Sequence, residues 1–412
     1  MTSRRFFLKA SGLALVSFGV APRALVRTVY ATGGSVRQKT LVVIFQRGAV
    51  DGLNTVVPYG DEVYRRLRPT IAIPAPRGGS RDAALDLDGH FGLHPALDPL
   101  LPLWREGSLA ILNAVGSPDS TRSHFDAQDF MESGTPGIKS TDDGWMNRHL
   151  QCHGDAHATP FRGLAMTPTL PRALAGRAPA VAMADIRAFD VRPAAASLSA
   201  MDDGGTGAAA GDILHGTARE TLEAVAFLKK ARPEQYAPAA GATYPRGRYG
   251  DSLKQIAQLV KADVGVEVAF TEIGGWDHHA AEGAVTGQLA RRLGEFGQAL
   301  AAFHRDLGDR MRDVVVVTLT EFGRTVRENG NRGTDHGHAS VSFVVGGGVR
   351  GGRVHGRWPG LRDGDLYEGR DLAVTTDFRD LLGEVLIAHL GDQDLSRVFP
   401  GHAARSVGVM RA

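Results

Sequence analysis

The chain has 412 residues, 43% of them hydrophobic and 22% charged, which is ordinary globular composition with enough apolar mass for one large core or two moderate ones. Lysine plus arginine number 47 against 45 acidic residues, a net charge of +2. No basic block with interleaved aromatics occurs, so nucleic acid is excluded as an expected partner.

The first element is an address. Ser3-Arg4-Arg5-Phe6-Phe7-Leu8-Lys9 precedes an apolar segment, Ala10 to Ala21, then Pro22, Arg23 and small residues near Ala31. That pattern resembles the twin-arginine export consensus, so residues 1–31 read as a signal peptide for the twin-arginine export machinery. The apolar run is too short and glycine-broken to span a bilayer, so no stable membrane span is expected after processing, and a periplasmic or otherwise exported location follows. Cys152 is the one cysteine, so no intrachain disulfide forms.

Residues 38–412 read as one α/β domain, with a largely parallel central sheet flanked by helices. Thr40 to Phe45 is an apolar strand ending at Arg47, and Asp51 follows in the turn, where it is either a ligand or a turn cap. A helix is predicted from Pro95 to Trp104 and a buried strand from Leu109 to Val115. The strand runs into Ser120-Thr121-Arg122-Ser123-His124 and a helix from His124 to Glu132. Ser123 there suits an N-cap, or a nucleophile favoured by free helix amides.

From 151 to 246 alanine, glycine and proline become dense, and the region reads as an insertion or cap whose strong helix is Gly216 to Lys230. Asp251 to Ala262 is a predicted helix capped by Asp251, and Val264 to Phe270 a strand leading to Gly274-Gly275-Trp276-Asp277-His278-His279. A long amphipathic helix, Ala284 to Leu307, carries Leu289, Leu293, Phe296, Leu300, Phe303 and Leu307 on one face.

Next come a buried strand, Val314 to Thr320, a loop holding Glu321, Arg324, Asp335, His336 and His338, and a second strand, Val341 to Val345. Gly346 to Gly351 satisfies the G-x-G-x-x-G spacing without the following helix that a dinucleotide site needs, and reads as a turn. Asp377 to Leu390 is a capped helix.

Four predicted strands thus end in polar clusters, and in a parallel sheet those ends share one edge, where open α/β sheets place ligands. Asp277 with His279, and His336 with His338, are each two residues apart, so each pair faces one way if extended. Imidazole and carboxylate groups together suit a divalent metal. Asp335 is read as a turn cap or as a partner orienting His336.

Four segments carry a resemblance: LVVIFQRGAVDGLNTVVPYGD, STRSHFDAQDFMESG, GGWDHH and TLTEFGRTVRENGNRGTDHGHASVSFVVGGG. On these the chain is identified as a member of an exported bacterial family of unknown function that is similar to the alkaline phosphatase and sulfatase superfamily. The resemblance implies an alkaline-phosphatase-like fold and one or two divalent ions (zinc, manganese, magnesium or calcium). It implies metal ligands among Asp51, Asp277, His279, Glu321, His336 and His338. It also implies Ser123 as nucleophile, with Ser120 and Thr121 as rivals, His124 and Arg324 beside it, and Arg47 and Arg122 holding an anion.

The expected activity is hydrolysis of a small anionic ester, phosphate or sulfate; the alternative is a non-catalytic exported metal-binding or interaction protein of the same fold. Two features depart from the superfamily. The sulfatase signature Cys-x-Pro-x-Arg is absent, and Glu321 stands where Asp-His is usual.

Overall fold

The computed structural model describes residues 16–17, 38–78, 80, 82–153, 159, 161–186 and 235–411. The signal segment, apart from Val16–Ser17, and the predicted helix at 216–230 lie outside the described residues. In chain order the strands are β1 (Val16–Ser17), β2 (Thr40–Arg47), β3 (Val56–Val57), β4 (Leu85–Asp86), β5 (Gly92–Leu93), β6 (Leu109–Gly116), β7 (Gly163–Ala165), β8 (Ala180–Ala182), β9 (Val268–Gly274), β10 (Val314–Leu319), β11 (Ser340–Gly346), β12 (Arg353–His355) and β13 (Thr376–Asp377). The main sheet runs β1-β8-β7-β9-β2-β10-β11-β6-β12, with β13 also on β6, while β3, β5 and β4 form a small separate sheet.

Strands β8, β7, β9, β2 and β10 pair in parallel. β11 is antiparallel to both β10 and β6, which restores β6 to the direction of the others. The fold is therefore α/β with a mostly parallel central sheet, as expected. The described parts of the 151–246 region supply two of its strands, β7 and β8.

Both faces of the sheet are covered, which explains the unbroken apolar runs. In β2, Val42 and Ile44 face one cluster with Leu253, Ile256, Phe296 and Phe303. Leu41, Val43 and Phe45 face the other, with Trp145, Leu381 and Val385. The helices that supply these residues, in chain order with the rest, are α1 (Gly52–Thr55), α2 (Glu62–Leu67), α3 (Leu101–Arg105), α4 (His124–Ser133), α5 (Trp145–Cys152), α6 (Arg248–Lys261), α7 (Gln288–Leu307) and α8 (Phe378–Val385).

Several boundaries differ from expectation. The strand predicted at Val264 to Phe270 is displaced to Val268–Gly274, because Gly265 takes a positive φ of 86° and Glu267 turns to ion pairs with Arg162 and His149. Asp251 lies inside the first turn of α6, which Gly247 precedes. The Pro95 helix begins as a 3-10 segment, Pro95–Leu100, with Pro99 inside it. Among the described residues no helix is long and apolar enough to cross a membrane.

Candidate metal centre

Because β2, β6, β9 and β10 point the same way, the loops after them emerge at one edge, and the reversed β11 starts there. Close backbone contact binds these loops. A Cβ on Gly48, whose φ is +116°, would sit 2.9 Å from the Asp277 amide nitrogen. Gly337 likewise has no room for a side chain, since a Cβ would come within 2.3 Å of the Arg324 carbonyl carbon.

Arg324 is fully buried and clamps three loops. Its Nε donates to the Ala49 carbonyl at 2.8 Å, and its Nη2 to the Gly48 carbonyl at 2.7 Å, to that of Trp276 at 3.2 Å and to the Asp277 carboxylate. Asp277 is thereby fixed at the mouth of the edge. Burial disfavours its charge, but Arg324 outweighs that and holds its pKa below the usual carboxylate range.

Three imidazoles surround this carboxylate, and in each the Nδ1 proton has an acceptor. Nδ1 of His124 donates to Glu321 Oε1 at 2.8 Å, that of His336 to the Arg122 carbonyl at 2.8 Å, and that of His279 to Asp335 Oδ1 at 3.2 Å. In the neutral rings the Nε2 atoms carry the lone pairs, and that of His336 faces the other two. His336 Nε2 is 3.0 Å from that of His124 and 2.9 Å from that of His279. The Asp277 carboxylate oxygens lie 3.0 Å from His279 Nε2, 3.4 Å from His336 Nε2 and 3.6 Å from His124 Nε2.

Converging acceptors of this kind repel unless a cation lies among them. An imidazole whose far nitrogen is anchored to a carboxylate or carbonyl is the usual arrangement of a metal ligand. His124, Asp277 and His336 are mutually close enough to share one ion, with His279 against two of them. Burial lowers the pKa of His336 and keeps its ring available as a neutral donor.

Glu321 stands behind the cluster. Burial opposes its ionisation, yet hydrogen bonds from His124, from Gln128 Nε2 at 2.9 Å and from the Gly48 amide at 2.8 Å hold its pKa below the usual value. The same hydrogen bond raises the pKa of His124.

The remaining predicted residues lie elsewhere. Asp51 caps α1, accepting from the Leu53 amide at 3.2 Å, and pairs with the wholly buried Arg68. Buried Glu282 lies beside Asp51, whose charge raises its pKa, and accepts from Thr334 Oγ1 at 3.0 Å. The backbone bends at His338, which diverges from His336; its Nε2 lies 3.1 Å from the Ser117 carbonyl oxygen and its ring packs on Tyr367.

The arginines have partners. Arg47 contacts Glu272 at 2.5 Å, Glu132 at 2.8 Å and Gln128 at 2.9 Å, while Arg122 contacts Glu368 at 2.6 Å and Asp371 at 2.7 Å. Ser123 is exposed at the N-cap of α4, its Oγ 3.5 Å from the Asp126 amide; Ser120 and Thr121 precede it in the same loop. Asp335 orients His279 instead of His336. Gln128, Arg68 and Glu282 carried no sequence signal, since each is a single polar residue within an otherwise ordinary segment.

Fold and site together define an α/β protein with a histidine–aspartate cluster at the carboxyl edge of its sheet. The chain belongs to the family described as "Protein of unknown function (DUF1501)", whose model matches residues 107–407. No curated protein sequence matches it. Among solved structures, the zinc complex of the C-terminal periplasmic domain of EcEptC from Escherichia coli is similar at 11% identity, over 76% of this chain and 74% of that one, with a TM-score of 0.36.

Proposed function

We infer that this is an exported metal-dependent hydrolase of anionic esters, phosphate or sulfate in type, built on one divalent ion held by His124, Asp277, His279 and His336. The observation that carries the metal is the convergence of three Nε2 lone pairs on Asp277, each ring anchored from behind. Imidazole and carboxylate donors suit zinc or manganese.

A divalent ion there supplies Lewis-acid polarisation of a phosphoryl or sulfuryl oxygen and positive charge for the oxyanion. Ser123, exposed and next in sequence to His124, offers the attacking hydroxyl. Arg324 holds Asp277, and Glu321 holds His124. Export rests on the twin-arginine pattern at Arg4-Arg5.

One observation favours a second reading, a non-catalytic metal-binding protein: Arg47, Arg122 and Arg324 are each engaged by carboxylates, so none stands ready for an ester anion. Metal analysis of the purified protein with a panel of chromogenic phosphate and sulfate esters separates the two. The hydrolase reading expects bound metal and turnover that Asp277→Ala and His336→Ala both abolish. Bound metal with no turnover selects the second reading; no metal overturns both.

A further inference from the structure

At the opposite edge of the sheet lies another cluster. His149 and His153 are four residues apart at the end of α5, so their rings share one side of the helix, with centroids 4.6 Å apart. Glu267 immediately precedes β9, and Asp392 follows the last turn after α8.

His149 is fully buried between two carboxylates. Its Nδ1 is 2.9 Å from Asp392 Oδ2 and its Nε2 is 3.0 Å from Glu267 Oε1. Burial disfavours charge on this ring, but the two carboxylates outweigh it and raise its pKa, so the protonated ring donates to both, and Arg162 Nε lies 2.7 Å from the other Glu267 oxygen. His153 Nδ1 donates to the His149 carbonyl at 3.1 Å, which leaves its Nε2 a lone pair. That lone pair lies 3.3 Å from Asp392 Oδ1, a buried oxygen with no hydrogen-bond partner among the described residues.

The pocket thus favours positive charge at the His149 ring, where a divalent cation can take the place of the Nε2 proton, with His153 Nε2 and Glu267 beside it. Buried acceptors in this arrangement are stabilised by a cation, and His149, His153 and Glu267 each present a donor atom within 4.8 Å of the others.

We propose that His149, His153 and Glu267 form a second binding site for a divalent transition metal such as zinc, with Asp392 orienting His149 from behind. Two histidines and one glutamate are an established zinc donor set, and His149 with its outer carboxylate matches the anchoring that metal-bound imidazoles show. The site ties the end of α5 to β9 and to the segment after α8. It lies the seven-residue length of β9 from the carboxyl-edge cluster, about 23 Å, and is independent of it.

Zinc alone is the probe, and the readout is bound equivalents after dialysis. The wild type is expected to hold two. The double variant His124→Ala/His336→Ala holds one, and adding His153→Ala leaves none. If His153→Ala holds as much zinc as the wild type, the second site is overturned. If the wild type holds one equivalent that survives in the double variant and is lost in His153→Ala, this site stands and the carboxyl-edge centre fails. Should His153→Ala not fold, zinc K-edge absorption of the double variant decides: two imidazoles around the ion support the site, and fewer overturn it.

Discussion

Nδ1 of His124 and Oε1 of Glu321 are 2.8 Å apart, although the two residues belong to different loops 197 positions apart in the chain. That hydrogen bond turns His124 Nε2 toward Asp277. Glu321 therefore sits behind His124 and orients its ring. Glu321→Gln is expected to weaken zinc binding by roughly ten- to a hundredfold, the usual cost of losing an outer partner. Competition against a chromogenic chelator measures it, with circular dichroism confirming the fold.

Removing the ion should cost stability. A ligand bound only by the native state adds about 2.7 kcal/mol at a free concentration one hundred times its Kd. Chelation is expected to lower the melting temperature of the wild type. Its size should shrink in His279→Ala, as calorimetry with and without chelator would show.

Asp51 gives a contrasting prediction. Its partner Arg68 is wholly buried, so Arg68→Met leaves an unpaired carboxylate and is expected to destabilise by about 3–5 kcal/mol in urea unfolding. Asp51→Asn should leave bound metal unchanged, because Asp51 is not among the groups around Asp277.

Glu282 makes stability depend on pH. Burial and the neighbouring Asp51 charge raise its pKa well above the ordinary glutamate value in the folded protein. A raised folded-state value stabilises fully below the unfolded pKa, and that stability is lost as pH climbs through the raised one. The wild type should lose stability on the alkaline side of the ordinary carboxyl range. Glu282→Gln, which keeps a neutral amide beside Asp51, should flatten that slope in melting temperatures recorded against pH.

Ser123→Ala tests the nucleophile. The cap contact to the Asp126 amide is long, 3.5 Å, so the stability loss should be near the low end for an N-cap, about 0.5 kcal/mol. Ester turnover should disappear with bound metal unchanged. Retained turnover would shift the attack to Ser120 or Thr121.

The sheet and its carboxyl edge were legible because apolar runs such as Thr40–Phe45 and Val314–Thr320 are too continuous for a one-sided strand. Their polar ends marked the loops. Spacing read Asp277 and His279 as one pair, and they do meet in space. The same rule paired His336 with His338, and there a bend at His338 parts them. Which side chains anchor and which converge was not legible: it depends on contacts between loops, such as Gln128 with Glu321, that no local pattern encodes. Glu267 was hidden because it fell within a segment that alternates like a strand.

The reversed β11 brings His336 to within 3.0 Å of His124, 212 positions away in the chain. No partly synthesised or partly folded chain holds these side chains together, so an ion bound there would act as an inspector of finished topology. Contacts this distant in sequence make for slow folding, and an ion that binds only after the reversed strand is seated would slow unfolding without hastening folding. Metal should therefore lengthen the lifetime of the native state more than it speeds its arrival.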